Sequence, residues 1–335
     1  MRARGIPVLC AALVCSAALM SACSPTEGPA PAVKRLPLTL GIGKEPLSAL
    51  VYVADHEDLF AANGLDLTLI EYDGGSAAAC QALLAGDVDV ALCTDTLVVI
   101  GALGGTPVTV VATVARDPND ISVLARKSAG ITAPSDLRGK RIGVQPGTAA
   151  AFFVHSYLTL NGMSHEDVSI SSGTHAEIAG SLVAGDLDAA AVREPFSTDV
   201  ARALGDDLVV LEEPGLYTKT ANLCTDPDTS VETGTLTRLI RALVQAEGLM
   251  SGERSGELRQ AVAERIGSDP RTLSPVVYEP GSVSLRQALL LDLEDQARWA
   301  IAHDVVADPR PFDALTLLDA SALDAVDPER VSVIR

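Results

Sequence analysis

The stretch LLAGDVDVAL at residues 83–92 returns as LVAGDLDAAA at residues 182–191. In each copy an apolar helical segment ends at alanine, a glycine follows where a positive φ costs nothing, and a strand of small aliphatic residues begins at once. A helix–turn–strand unit written twice demands two α/β lobes, each with its own sheet. Asp87, Asp89, Asp186 and Asp188 stand at the beginning of those strands. Ligands of open parallel sheets bind outside the carboxyl ends, so these acids are assigned to turn geometry, and chemistry is sought at the far ends.

Strands and helices alternate on either side of each copy. LTLGIG, an apolar helix through Ala49 to Phe60, LDLTLIEY, a helix after Gly74, VDVAL, another helix and PVTVVATV make a first run. After Ile121 to Arg126 and the turn-rich Lys127 to Ser135, KRIGVQ, a helix through Phe153 to Leu160, VSISS, a helix ending near Val183, LDAAAV and DLVVLEE make a second. The alternation predicts parallel-rich sheets flanked by helices. From Val231 onward apolar residues recur at helical spacing, and the predicted amphipathic helices close over the first lobe.

The residues that follow the strands are the candidate binding set. They are Glu45 and Ser48 after the first strand, Gly75 and Ser76 after the second, and Thr94 and Asp95 after the first repeat. From the second lobe come Gly147, Thr148 and Thr174, and Arg193, Glu194 and Phe196 after the second repeat. Gly75–Ser76 and Gly147–Thr148 have the composition of helix N-termini that can receive an anion, the alternative being ordinary capping. Arg193 suits a carboxylate or sulfonate and Glu194 an amine or pyrimidine edge, unless both are paired at the surface. Glu45 and Asp95 tilt the pocket negative, or serve as caps. Phe196 offers a ring face or joins the core.

Enzyme and nucleotide signatures are absent: there is no Walker loop, dinucleotide fingerprint, nucleophile elbow or Cys-x-x-Cys. The histidines, His56, His155, His165, His175 and His303, form no H-x-x-x-H pair, so no metal, cofactor or catalytic residue is expected. His175 alone falls on a ligand-side loop. The net charge of −19 argues against a nucleic-acid partner.

Residues 1–22 read as an export signal, with Arg2 and Arg4 before the apolar run Pro7 to Met20. The run ends in Leu-Met-Ser-Ala-Cys, which resembles a bacterial lipobox, making Cys23 the lipid attachment point and 23–35 a Pro-rich tether. A plain cleaved signal is the alternative. Beyond the signal, Cys80, Cys93 and Cys224 permit one disulfide, and the sequence does not choose the pair.

Five segments together resemble the solute-binding proteins of bacterial ABC importers, in the group of nitrate, taurine, aliphatic-sulfonate and thiamine-pyrimidine binders. They are ADHEDLFAANGLDLTLIEYDGGS, GGTPVTVVATV, the two repeats with the second continued to REPF, and ITAPSDLRGKRIGVQPGTAAAFFVHSYLTLNG. The resemblance implies a two-lobed, hinged type II periplasmic-binding fold. Lobe I would comprise 36–125 plus 223–335 and lobe II 126–222, with the strand-end loops lining the cleft. It further implies a monomer that captures a small polar solute (sulfonate, nitrate, pyrimidine or similar) without chemistry and hands it to a membrane permease and its ATPase. Arg193 departs from the family, whose members often carry an aromatic residue before the acid-Pro pair. The rival readings are an enzyme on the same fold, as in a pyrimidine-precursor synthase or a dehydratase, and a tethered ligand sensor.

Overall fold

A computed structural model describes residues 35–334 except 119–120, 194–195, 229–230, 268–269 and 271–280. The chain builds two five-stranded sheets with helices packed on them. The first contains β1 (Leu36–Gly43), β2 (Leu65–Tyr72), β3 (Val90–Thr94), β4 (Thr109–Asp117) and β10 (Lys219–Thr225), in the order β2-β1-β3-β10-β4. The second contains β5 (Ser122–Arg126), β6 (Arg141–Val144), β7 (Ser169–Ser172), β8 (Ala189–Val192) and β9 (Leu208–Leu211), in the order β7-β6-β8-β5-β9. Each sheet is parallel apart from its fourth strand, β10 in one and β5 in the other. Central β3, β8 and β10 are buried at every residue, as expected of strands covered on both faces, while edge strand β2 is half exposed.

The two antiparallel strands mark where the chain passes between the sheets. The strand at 122–126, cut by the expected boundary after 125, pairs in the second sheet, and the one at 219–225, cut by the expected boundary after 222, pairs in the first. The chain therefore changes sheets between Asp117 and Ser122 and again between Leu211 and Lys219. β10 was not foreseen at all. Its sequence, KTANLCT, is half polar and its partners lie more than 100 residues away, so no local pattern announces it.

The repeat is architectural. Helices α3 (Gly75–Ala85) and α6 (His175–Ala184) end on Gly86 and Gly185 at φ 76° and 88°, a left-handed conformation open to glycine at little cost. In both, the next aspartate's N–H reaches back to the fourth-last carbonyl of the helix: Asp87 to Ala82 at 2.9 Å and Asp186 to Ser181 at 2.9 Å. The second acid of each copy then ties its strand to a neighbour. Asp89 accepts from Thr39 N at 2.7 Å and Oγ1 at 2.6 Å on β1, and Asp188 accepts from Arg141 N at 2.9 Å and Nη2 at 2.9 Å on β6. The Arg141 hydrogen bond holds the Asp188 carboxyl below its usual range.

The tail helices α8 (Thr233–Met250), α9 (Ser255–Ile266) and α10 (Gln287–Ala302) pack on the first lobe, α8 and α9 against α1 (Ala49–His56) and α10 against α4 (Asp95–Gly104). The second lobe meets this tail through α5 (Ala149–Leu160), where Phe152 lies edge-on to Trp299 of α10 at 5.5 Å and to Tyr217 of the returning crossover at 5.6 Å. The lobes are thus in contact along an α5–α10 seam.

Cys80 of α3 is bonded to Cys93 of β3, and Cys224 is a buried thiol whose pKa burial pushes up. The bridge closes a loop with a sequence separation of 13, for which chain entropy predicts a contribution of about 3 kcal/mol. Reduction should lower the melting temperature measurably, and a Cys80→Ser/Cys93→Ser variant should match the reduced protein in the same scan.

Candidate functional site

A cavity of about 230 Å³ opens at the carboxyl ends of both sheets. From the first lobe it is lined by Glu45, Gly75, Ser76, Thr94, Thr96 and Lys219, and from the second by Gln145, Gly147, Thr148, His175 and Arg193. Ile121, at the forward crossover, forms part of the wall. Glu45 follows β1, Thr94 ends β3, Gln145 follows β6 and Arg193 follows β8, so the lining is what the strand-end rule selects.

Local packing places these groups. Gly43 ends β1 so close to the start of α3 that a Cβ there would lie 2.5 Å from the Ser76 nitrogen, so only glycine admits that approach. It brings Glu45 onto the helix N-terminus, where its carboxylate accepts from Ser76 N at 3.2 Å and from Ser76 Oγ. The anion-accepting end of α3 is therefore filled by the chain's own acid. The start of α5 is different. Thr148 stands at its N-cap in extended conformation but donates its hydroxyl to the Gln145 carbonyl at 2.7 Å, and no side chain caps the helix. Thr148, Ala149 and Ala150 line the cavity there, opposite Lys219.

Lys219 is buried, at 7% exposure, and acts electrostatically on Asp95. Asp95 is fully buried at the start of α4, beneath the cavity, with Tyr217 Oη at 2.9 Å, Gln296 Nε2 at 2.7 Å and Thr220 N at 3.4 Å as donors. Burial pushes its carboxyl pKa up, against the pull of Gln296, Tyr217, Thr220 and Lys219. It ties β3, β10 and α10 together, and Thr96 Oγ1 extends the set by donating to Gln296 Oε1 at 2.7 Å.

Of the candidate set, Glu45, Gly75, Ser76, Thr94, Gly147, Thr148 and Arg193 surround the cavity. Ser48 does not: it is buried and donates to the Gly43 carbonyl at 2.7 Å, fixing the turn after β1. Asp95 lies under the floor rather than on it. Thr174 faces Glu177 in a capping box that starts α6. Phe196 stacks at 6.0 Å on His175 and packs on a small core cluster of the second lobe, leaving His175 as the ring at the cavity wall. Glu194 lies outside the described residues. Sequence reasoning missed Lys219 because β10 was missed, and Gln145 although it directly follows β6.

His155, His165 and His303 converge with one ligand atom from each within 4.8 Å of the others; His303 is distant in sequence from the other two, so no spacing motif announces the group.

Among the described residues no helix is long and apolar enough to cross a membrane. The family model for NMT1/THI5-like proteins matches residues 45–250, more than half of the chain. No curated protein matches in sequence. Among solved structures, the alkanesulfonate-binding protein SsuA from Xanthomonas axonopodis pv. citri, bound to MOPS, is 20% identical with a TM-score of 0.68, over 85% of this chain and 99% of that one. The periplasmic aliphatic sulphonate binding protein SsuA from Escherichia coli is 16% identical with a TM-score of 0.68, over 84% and 96%. The periplasmic nitrate-binding protein NrtA from Synechocystis PCC 6803 is 12% identical with a TM-score of 0.64, over 88% and 89%. At these identities the likeness establishes the two-lobed periplasmic-binding fold.

Proposed function

The chain belongs to the NMT1/THI5-like family, and from that premise we propose that it captures a small anionic solute between its lobes for delivery to an ABC importer. The observation that carries the reading is the uncapped start of α5, which opens into a cavity also lined by Arg193 and Lys219. A helix N-terminus flanked by two cations is matched to an oxyanion group, whether sulfonate, nitrate or carboxylate. The sulfonate- and nitrate-binding proteins of the same fold lend this class of solute support. The proposed role is binding without chemistry.

The ligand would act on the α5–α10 seam. Contacts drawn from both lobes favour the closed arrangement, and a permease with its ATPase would read that population shift. Export through residues 1–22 and lipid attachment at Cys23, on segments outside the described residues, would hold a monomer at the outer face of the cytoplasmic membrane.

Glu45 tests the charge of the solute. Glu45→Gln keeps an acceptor for Ser76 while removing a negative charge from the cavity, so affinity for a plain anion should rise roughly threefold to tenfold by calorimetric titration. A fall in affinity would mean instead that the solute also carries an ammonium group, to which Glu45 is the partner.

A further inference from the structure

His155 lies on α5 and His165 on the short turn at 165–167, both in the second lobe, whereas His303 ends α10 in the first. His303 Nε2 is 3.1 Å from His155 Nδ1. The ring of His165 lies 4.6 Å from that of His303 and 5.6 Å from that of His155, centroid to centroid. His165 Nε2 is buried with no hydrogen-bond partner. An imidazole nitrogen sheltered from water in this way lacks the partner that a buried polar atom requires.

We propose that His155, His165 and His303 form a binding site for a divalent transition-metal ion of the zinc class, which bridges the two lobes and latches the cleft closed. Three imidazoles bound at about 2.0–2.1 Å in tetrahedral array place their nitrogens about 3.4 Å apart. One pair already stands at 3.1 Å, and all three ligand atoms lie within 4.8 Å, so rotation of the rings is enough to complete the set. An ion at the centre also supplies the partner that His165 Nε2 lacks.

The position has a mechanical consequence. Two ligands belong to one lobe and the third to the other, so the full set exists only when α5 and α10 are in contact. A metal ion therefore binds the closed form better than any separated one, and differential affinity of that kind shifts the equilibrium. Access is provided by a second cavity, of about 590 Å³, lined by His155, Asp295, Trp299 and His303 on the outer side of Phe152. It is separate from the solute cavity at the strand ends, so metal and solute can be held together.

The test uses zinc chloride alone, with no solute, on the purified protein stripped with chelator. Its outcome is therefore independent of the proposed solute. Calorimetric titration should give one zinc per chain, with calcium showing no such site. His303→Gln and His155→Gln, from opposite lobes, should each weaken zinc by at least roughly tenfold, and the double variant should lose little more, because either ligand's loss opens the site. X-ray scattering should show zinc narrowing the solute-free protein to its compact form in the wild type and not in His303→Gln. Both histidines are at least partly exposed, and circular dichroism should show the variants folded. Zinc binding that survives both substitutions would overturn the site, and stoichiometric binding without compaction would overturn the latch.

Discussion

Arg193→Ala should weaken binding of the anionic solute by roughly 30- to 1,000-fold while leaving the melting temperature of the solute-free protein nearly unchanged. The size follows from truncating one partner of a desolvated charge pair, which costs about 2–4 kcal/mol and appears mainly in the dissociation rate. Arg193 follows β8 at the cavity wall, outside the described strands and helices. Lys219→Ala should weaken binding to a similar degree but with a penalty in stability. Lys219 is buried in β10 and its charge helps hold Asp95. Titration calorimetry beside thermal unfolding separates the two cases. An Arg193→Ala protein that binds as tightly as the wild type would place the solute elsewhere.

The second large effect concerns the tail. Glu247→Ala should destabilise the protein by about 3–5 kcal/mol, the range found when one partner of a buried ion pair is removed. Glu247 sits on α8 with its side chain 2% exposed, accepting from Val283 N at 2.6 Å and pairing with Arg330 Nη1 at 2.8 Å. Arg330, 14% exposed, also donates to the Val283 carbonyl at 2.9 Å and to Asp327 at 3.1 Å. Alanine would leave the buried Val283 amide without its acceptor and the guanidinium with Asp327 as its remaining carboxylate. Glu247→Gln keeps an acceptor for Val283 and should cost distinctly less. Urea unfolding measures both, and a loss under about 1 kcal/mol for the alanine variant would show the cluster to be dispensable. The damage should reach the site as well. Val283–Leu285 leads into α10, whose Gln296 holds Asp95 under the cavity floor.

How far the sequence could be read depended on whether the signal was local. The repeat announced its own role, since helix end, glycine and strand are adjacent residues, and both copies form the same carbonyl-capping turn. The strand-end rule then reached Glu45, Ser76, Thr148 and Arg193, because each follows a strand visible as an apolar run. What escaped was non-local. β10 enters between β3 and β4 from over 100 residues away, carrying Lys219 and setting where the chain returns to the first sheet. The choice of Cys80 and Cys93 over Cys224 rests on α3 packing against β3. Asp95 and Phe196 look like site residues beside a strand end, yet one is turned under the floor and the other behind His175. The three histidines meet only because α5, the turn after it and α10 meet.

The proposed site holds an anion between both lobes at the start of α5. Calorimetric titration of the wild type and of Arg193→Ala with an alkanesulfonate, and in parallel with nitrate and a small carboxylate, addresses it most directly. Saturable one-to-one binding of at least one of these by the wild type is expected, weakened by at least roughly 30-fold in the variant. Absence of binding to all three, or equal affinity in both proteins, would contradict it.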